Sequence, residues 1–371
     1  MKLLMIINGM DIGGAEISLE SLSYALDPTI DVKIISLSGS GKIAYKMKKK
    51  GYEIHELNFK KKLLPFNEIF KLFSLIKKIN PDVVHTWMYH SNLIGGLVAK
   101  TLGIKRIIWS VHAFNIQQGM LKFKTRLLVK ILAFFSYFIP NQIICCSQST
   151  LNVHKKLLYS QKKLIFIPNG IEPKNFFYSR DCRISIRSEL GLKDEDILVG
   201  CIGRYDVQKN QIGFLDIVSK IVSKHSNYHF IFVGRDNDEH NSDLTLALKK
   251  LNLTERLHLL GERDDVNEIL SAIDIFALPS KGEAFPISLC EAMLCEVPCT
   301  ASNVGDVSYI MGNLIEAIDI ENFELFYEQI IDLGRKSHYE RRRLGRQLKQ
   351  RVIDKFSIEK IAKYHEELYE F

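Results

Sequence analysis

The 371-residue chain contains no CxxC pair, no GxGxxG turn and no apolar run long enough to span a bilayer. Its seven cysteines are an odd number set mostly in apolar stretches, which excludes a disulfide framework and points to buried thiols in a reducing compartment. A metal site at Cys290, Cys295 and Cys299 is rejected because the spacing is poor and no histidine accompanies it. The apolar run after Lys2 is only LLMII, short of the ~7–15 residues of a secretory core. The longest apolar stretch, LLVKILAFFSYFI, is broken by Lys130 and stops at Pro140, whereas a spanning helix needs ~20 residues. A cytoplasmic protein is expected. Repeats of short period and low-complexity segments are also missing.

Acidic residues are scarce in one half. Residues 1–170 carry 24 Lys+Arg against 9 Asp+Glu, which leaves 26 and 34 for the remainder. A basic half joined to an acidic half needs a reason. The clusters GKIAYKMKKK and FKKKLL, and the segment KFKTRLLVKILAFFSYFIP with Lys122, Lys124, Arg126 and Lys130, combine cations with an aromatic apolar end. Attraction to an anionic lipid surface with partial insertion of an amphipathic helix uses that combination, and a solvated face over a core helix is the plainer alternative. Nucleic acid is not expected, because no recognition motif accompanies the charge.

What the chain does contain is a succession of short Ile/Val-rich runs alternating with helical patterns. In the first half these are KLLMIING, VKIISLS, DVVHTW, RIIWSVH, QIICCS and KLIFIPNG; in the second, ILVGCIGR, HFIFVGR, RLHLLGE, DIFALPS and VPCTAS. Near-continuous apolar runs belong to strands buried on both faces, as in a parallel sheet covered by helices. An α/β chain of this length exceeds one core, so two doubly wound Rossmann-like domains are expected, facing across a cleft. The boundaries predicted are 1–175, 176–355 and a terminal helix 356–371 packing back on the first domain. The segment 169–195 reads as a polar joint without clear period. Ile361, Tyr364, Leu368 and Phe371 mark one apolar face of the terminal helix.

Ligands of such sheets bind at the carboxyl ends of strands, and the candidate residues fall there. GRYDVQKNQ places Arg204 and Lys209 near a helix start, where an anion such as a diphosphate meets backbone N–H groups and two cations. Gly13-Gly14 lets backbone approach a ligand, or merely makes a tight strand–helix turn. His112 ends a strand; His85 and His90 are less well placed and too loosely spaced for a zinc pair. The DxD-like triplets Asp194-Glu195-Asp196 and Asp236-Asn237-Asp238 read as solvated loops rather than as metal ligands. In SKGEAFPISLCEAM, Pro286 suits a helix start, so Glu283 is expected in a loop and Glu291 one or two turns into the following helix. A loop carboxylate, the amides of Phe285 and Ile287 and a helix carboxylate hold a polar ligand at several points. A glycosidase pair fits less well beside an Arg/Lys phosphate site.

GGAE, the histidine after the fourth predicted strand, IPNGIE, the GR-x4-K pattern and GEAFPISLCEAMLCEVPCTASNVGD together resemble the retaining glycosyltransferases of family 4, with the GT-B fold. The resemblance spans nearly the whole chain. It implies a nucleotide-sugar donor, UDP-sugar favoured and GDP-sugar possible, with no cofactor and no metal. It implies that Arg204 and Lys209 bind the diphosphate near the Gly13 and Gly14 amides, and that Glu291 contacts the ribose. Glu283 with the Phe285 and Ile287 amides would hold the sugar hydroxyls, His112 would lie beside the transferred sugar, and Arg263 in GERDDV would lie where the base is held. Catalytic roles are expected for His112, Glu283, Arg204 and Lys209. The function implied is a hexosyl- or N-acetylhexosaminyltransferase acting on a lipid-linked saccharide in bacterial surface polysaccharide synthesis, peripheral to the inner face of the membrane. Alternatives are a nucleotide-sugar epimerase, a transferase with a soluble acceptor, or a non-catalytic binder. Two departures stand out: Glu296 replaces a glycine that often caps the helix, and Arg235-Asp236 follows FVG where a second glycine is common.

Overall fold

A computed structural model describes residues 1–59, 66–112 and 123–370. Lys60, Lys61, Lys62, Lys122 and Phe371, named above, lie outside the described residues, as do all the other residues between His112 and Phe123. The chain divides into two compact units, residues 1–170 with 358–371, and residues 171–357.

The first unit is built on seven parallel strands among the described residues: β1 Lys2–Ile7, β2 Asp31–Ser36, β3 Glu53–Glu56, β4 Val83–Trp87, β5 Arg106–Val111, β6 Gln142–Cys145 and β7 Leu164–Phe166. Their spatial order is β3-β2-β1-β4-β5-β6-β7. Side chains alternate between faces, so the continuous run in β1 feeds two cores. Leu4 and Ile6 pack under α3 Phe66–Ile79, α4 Tyr89–Thr101, α5 Phe123–Phe135 and α6 Gln148–Lys156. Leu3, Met5 and Ile7 pack under α1 Gly14–Ala25, α2 Lys42–Lys49 and the C-terminal helix Ile358–Glu370.

β3 has no counterpart among the predicted strands. Its sequence, EIHE, is short and polar, and it sits at the sheet edge, where charged side chains blunt unwanted pairing. Glu53 accepts from Lys33 of β2 at 2.6 Å, and Glu56 pairs with Lys48. His112 therefore follows the fifth strand, not the fourth.

The C-terminal helix buries Ile361 and packs Leu368 against the core as expected, but Tyr364 is exposed. Ala362, His365 and Tyr369 are buried instead. The polar members tolerate burial partly because they find partners: the Tyr369 hydroxyl meets His85 Nδ1 at 2.9 Å. Arg106 Nε, at the start of β5, donates to the Leu368 carbonyl at 2.7 Å, and Glu366 accepts from the Asp27 amide between α1 and β2 at 2.7 Å, so two separate segments hold the helix.

The second unit has five parallel strands among the described residues, β8 Ile197–Ile202, β9 Tyr228–Val233, β10 Leu257–Gly261, β11 Ile275–Leu278 and β12 Cys299–Ala301, in the order β10-β9-β8-β11-β12. One face carries α8 Gln211–Lys224, α9 Ser242–Lys250 and α13 Phe323–Arg335. The other carries α7 Arg180–Glu189, α10 Val266–Ala272, α11 Ile287–Leu294, α12 Val307–Met311 and α14 His338–Phe356. The polar joint read at 169–195 is thus partly helical. Ser179 caps α7 by accepting from the Cys182 amide. Arg183 and Arg187 of α7 join Arg341 of α14 on the buried Asp274 carboxylate at 2.8, 3.0 and 3.2 Å. Those arginines made the segment look like a linker; their partner is far away in sequence.

Two unusual residues take the conformations their glycine counterparts would. Glu296 has φ 62°, in the left-handed region, and closes α11. Arg342 and Lys349 on α14 hold its carboxylate at 2.5 and 3.0 Å, which offsets the backbone strain of a non-glycine cap. Asp236 likewise sits at φ 63° after Gly234.

Candidate functional site

Parallel pairing brings every strand's carboxyl end to one edge of its sheet. In the second unit that edge carries the ends of β8, β10 and β11, and hence Arg204, Arg263 and Glu283. Two loops are tied together there. The Lys281 amide donates to the Gln208 carbonyl at 2.7 Å, and Asn210 Nδ2 donates to the Pro279 carbonyl at 3.2 Å. Asn210 itself is at φ 58°, immediately before α8. These bonds bring residues 74 apart in sequence into contact: Lys209 Nζ lies 2.7 Å from Glu283 Oε1. Ser280 Oγ donates to the same oxygen at 2.7 Å. Glu283 is thus a buried carboxylate with two donors, and Lys209 is a cation held at the edge rather than waving in solvent.

Arg204 stands on the first of these loops and is half-exposed; its guanidinium donates to Asp206 at 3.0 and 3.1 Å. Arg263 is more firmly engaged. It donates to Asp265 at 2.6 and 2.8 Å and to Glu189 of α7 at 2.8 Å, and these contacts raise its pKa. Pro286 sits at the start of α11, with Glu283 in the preceding loop and Glu291 in the helix. Phe285 is buried, and the first-turn amides of such a helix have no intrahelical acceptor. Burial pushes the Glu291 carboxyl up to about 7.

That shift sets the sign of a stability effect. Between about 4.5 and about 7 the folded protein holds a proton on Glu291 that the unfolded chain has released, so stability falls as pH rises through that window. Glu291→Gln is expected to raise the Tm of the ligand-free protein at pH 8 and to leave it nearly unchanged at pH 4.5. An equal shift at both pH values would remove Glu291 as the titrating group.

In the first unit, Gly13 precedes α1 with extended backbone, and Gly14 is the first helical residue. A Cβ at Gly13 would meet only the Glu16 carboxylate, the end of a flexible side chain. Gly41 is the tighter position: a Cβ there would lie 2.3 Å from the Met10 carbonyl oxygen, inside the same turn. His112 directly follows β5, and its ring stacks on Trp87 at 5.0 Å with 15° between planes. Burial brings its pKa down to about 4, so the imidazole is neutral at pH 7. His85 is a core residue bonded to Ser110 Oγ at 2.7 Å as well as to Tyr369.

The structure therefore gathers Lys209, Glu283 and Arg204 on two adjoining loops, with Phe285, Ile287 and Glu291 following directly. Gly13, Gly14 and His112 belong to the other unit. Three neighbours escaped the sequence reading. Ser280 could have been suspected from its position before Glu283, but Asp206 and Trp87 become significant only through contacts. No group of three or more His, Cys, Asp or Glu residues among the described residues is arranged to hold a metal ion.

Two doubly wound parallel sheets with these loops at their carboxyl edges are the architecture of the GT-B glycosyltransferases. HepE from Anabaena, solved in complex with UDP-glucose, superposes over 100% of both chains with a TM-score of 0.84 at 16% identity. Sucrose-phosphate synthase from Thermosynechococcus elongatus gives 0.77 at 18% identity, over 100% of this chain and 98% of that one. The description "Glycosyltransferase Family 4" matches residues 12–175, and "Glycosyl transferases group 1" matches residues 183–351. An Escherichia coli UDP-Gal:alpha-D-GlcNAc-diphosphoundecaprenol alpha-1,3-galactosyltransferase is 30% identical over 262 residues, 69% of this chain and 67% of its own. A Campylobacter jejuni N,N'-diacetylbacillosaminyl-diphospho-undecaprenol alpha-1,3-N-acetylgalactosaminyltransferase is 30% identical over 236 residues, 61% of this chain and 60% of its own. The chain belongs to this glycosyltransferase family, and it is a glycosyltransferase.

Proposed function

We propose that the protein is a retaining, metal-independent transferase that moves a sugar from a nucleotide-sugar, UDP-linked by preference, to a lipid-linked saccharide during synthesis of a bacterial surface polysaccharide. The observation that carries the reading is the Lys209–Glu283 pair at the carboxyl edge of the second sheet, with Arg204 on the adjoining turn. As the sugar–phosphate bond breaks, negative charge collects on the departing diphosphate. Arg204, Lys209 and backbone amides answer that charge where it develops. Glu283, held by Ser280 and Lys209, presents its remaining oxygen capacity to sugar hydroxyls, and Glu291 serves the ribose. Attack on the same face, with a phosphate oxygen taking the acceptor's proton, retains the anomeric configuration. Neutral His112 stands beside the transferred sugar, and Arg263 stands toward the base.

The names of the two relatives support the acceptor class, since both act on sugars linked to diphosphoundecaprenol. Incubation with labelled UDP-sugars and polyprenyl-diphosphate saccharides, with and without EDTA, tests the proposal. Transfer with retained configuration in both arms is expected; silence across the common donors would overturn it.

The membrane-side reading is supported by exposed apolar side chains on the first unit. On α3, Phe66, Ile69, Phe70 and Phe73 are exposed at helical spacing, a row that the sequence reading did not single out. Leu127, Ile131 and Phe134 on α5 continue into exposed Tyr137 and Phe138. Both helices flank α4, on the same face of the sheet. Exposed Lys71, Lys124, Arg126 and Lys130 accompany these rows, the mixture that an anionic bilayer surface attracts. No helix among the described residues is long and apolar enough to cross a membrane. Replacing Phe70, Phe134 and Phe138 together by serine is expected to weaken cosedimentation with phosphatidylglycerol vesicles by about 10-fold or more. Failure of the parent protein to bind such vesicles at low salt would sink the membrane reading.

A further inference from the structure

Beside His112, within the first unit, lies a small cavity whose lining includes Ser18, Trp87, Ser110, His112, Asn169 and His365. The space open to the centre of a water molecule is about 10 Å³, room for a single water. Three of the lining side chains are almost fully buried: Ser18 at 5%, Trp87 at 2% and His365 at 5% exposure. Each carries a polar atom without a hydrogen-bond partner among the described residues, namely Ser18 Oγ, Trp87 Nε1 and His365 Nδ1. They come from α1, β4 and the C-terminal helix, three elements remote in sequence.

An unpaired buried polar atom costs about 1–3 kcal/mol, so three around one cavity of water size is not a neutral arrangement. Their chemistry is complementary to one water. The indole N–H can only donate, the serine hydroxyl can do either, and a neutral imidazole nitrogen donates or accepts according to tautomer. Burial brings His365 down to about 3, so it is neutral at pH 7. A water accepting from Trp87 and bonded to Ser18 and His365 makes the three bonds typical of a buried water.

We infer that this cavity binds one ordered water that joins Ser18, Trp87 and His365, and that through it the C-terminal helix positions His112. The linkage is mechanical. The water fixes the rotation of the Trp87 indole, and the indole face sets the plane of the His112 imidazole stacked on it. His85, held by Ser110 and Tyr369, lies 4.9 Å from Trp87 and backs the same ring. Ser18, Trp87 and His365 are positioning residues; only His112 would meet substrate. That last clause rests on the proposed function, whereas the water site does not.

The test separates the two. A crystal structure of the full chain at a resolution that shows waters is expected to place one within hydrogen-bond distance of all three atoms. Ser18→Val puts a methyl group into that space and is expected to expel the water. Trp87→Phe keeps a ring against His112 and removes the N–H. In both variants the His112 imidazole resonances, read by NMR on the protein without substrate, are expected to shift or broaden. In transfer assays kcat is expected to fall on the order of 10-fold, the equivalent of one hydrogen bond, with the donor KM within about 2-fold. Ser18→Ala, which leaves the water two partners, is expected to fall between. A dry cavity in the parent protein, or loss of the water with His112 resonances unmoved, overturns the inference. A shifted His112 without any transferase activity in the parent protein would instead count against the proposed function and leave the water site standing.

Discussion

Lys209→Ala is expected to lower kcat/KM by about 10²–10³-fold, the range found when one preorganised donor to developing negative charge is removed. The ammonium has a fixed position. Lys209 is not an exposed lysine free to be replaced by a neighbour. Its Nζ is held 2.7 Å from Glu283 Oε1 at the sheet edge, and the loop that carries it is tied to the Glu283 loop by backbone. Charge fixed before the reaction costs no reorganisation when the leaving group departs. The same substitution removes a partner from a buried carboxylate, so a stability loss of about 1–3 kcal/mol accompanies it. The two effects separate experimentally. Glu283→Gln combined with Lys209→Ala is expected to recover Tm without recovering turnover. If Lys209→Ala keeps more than a tenth of the activity at a temperature where it is folded, Lys209 does not bear the leaving-group charge. Arg204 is expected to show a smaller effect on stability, because its partner Asp206 lies two residues away on the same exposed loop.

Gly305→Ala is expected to be the most damaging conservative change outside the chemistry. Gly305 has φ 56°, and a Cβ there would lie 2.1 Å from the Glu283 carbonyl oxygen and 2.8 Å from that of Ala284. Both are backbone atoms, so the 279–286 loop must move. The Asp306 amide, which donates to the Ala284 carbonyl at 3.1 Å, locks the two loops and leaves little room for relaxation. Strain and collision together should cost about 2–4 kcal/mol and misplace Glu283. Activity is expected to fall by about 10²-fold even where the protein remains folded, the scale associated with a displacement near 1 Å. Gly191→Ala supplies the control. Gly191 has φ 65° with nothing within 4 Å of the added Cβ, so it reports backbone strain alone, about 1 kcal/mol, and should leave turnover intact. Equal losses at both positions would show that the collision with the Glu283 loop is not what matters.

Parts of the molecule can be read from the chain and parts cannot. The buried strands were legible because parallel strands covered on both faces must be apolar at successive positions, as KLLMII and IFAL are. Glu283 in a loop and Glu291 on a helix followed from Pro286 alone, because proline suits a helix start and resists a helix interior. β3 was not legible. Four residues reading EIHE become a strand only by pairing with β2, and an edge position lets them stay polar. Neither was α7, whose Arg183 and Arg187 find their partner at Asp274, 91 and 87 residues further on.

Among the candidate site residues, local sequence determined type and strand-end location: a glycine-arginine turn after β8, a lysine before α8, a glutamate after β11. It also determined the helix–sheet–helix layering of each unit and the excess of cations in the first. Tertiary structure alone decided who touches whom. That Lys209 rests on Glu283, that Gly305 has no room for a methyl group, that Glu296 can cap a helix because Arg342 and Lys349 hold it, and that His365 shares a cavity with His112 are facts of long-range packing. Periodicity and propensity act over a few residues, whereas loop ties and buried polar contacts join positions tens to hundreds of residues apart. The former can be read along the chain; the latter exist only after it has folded.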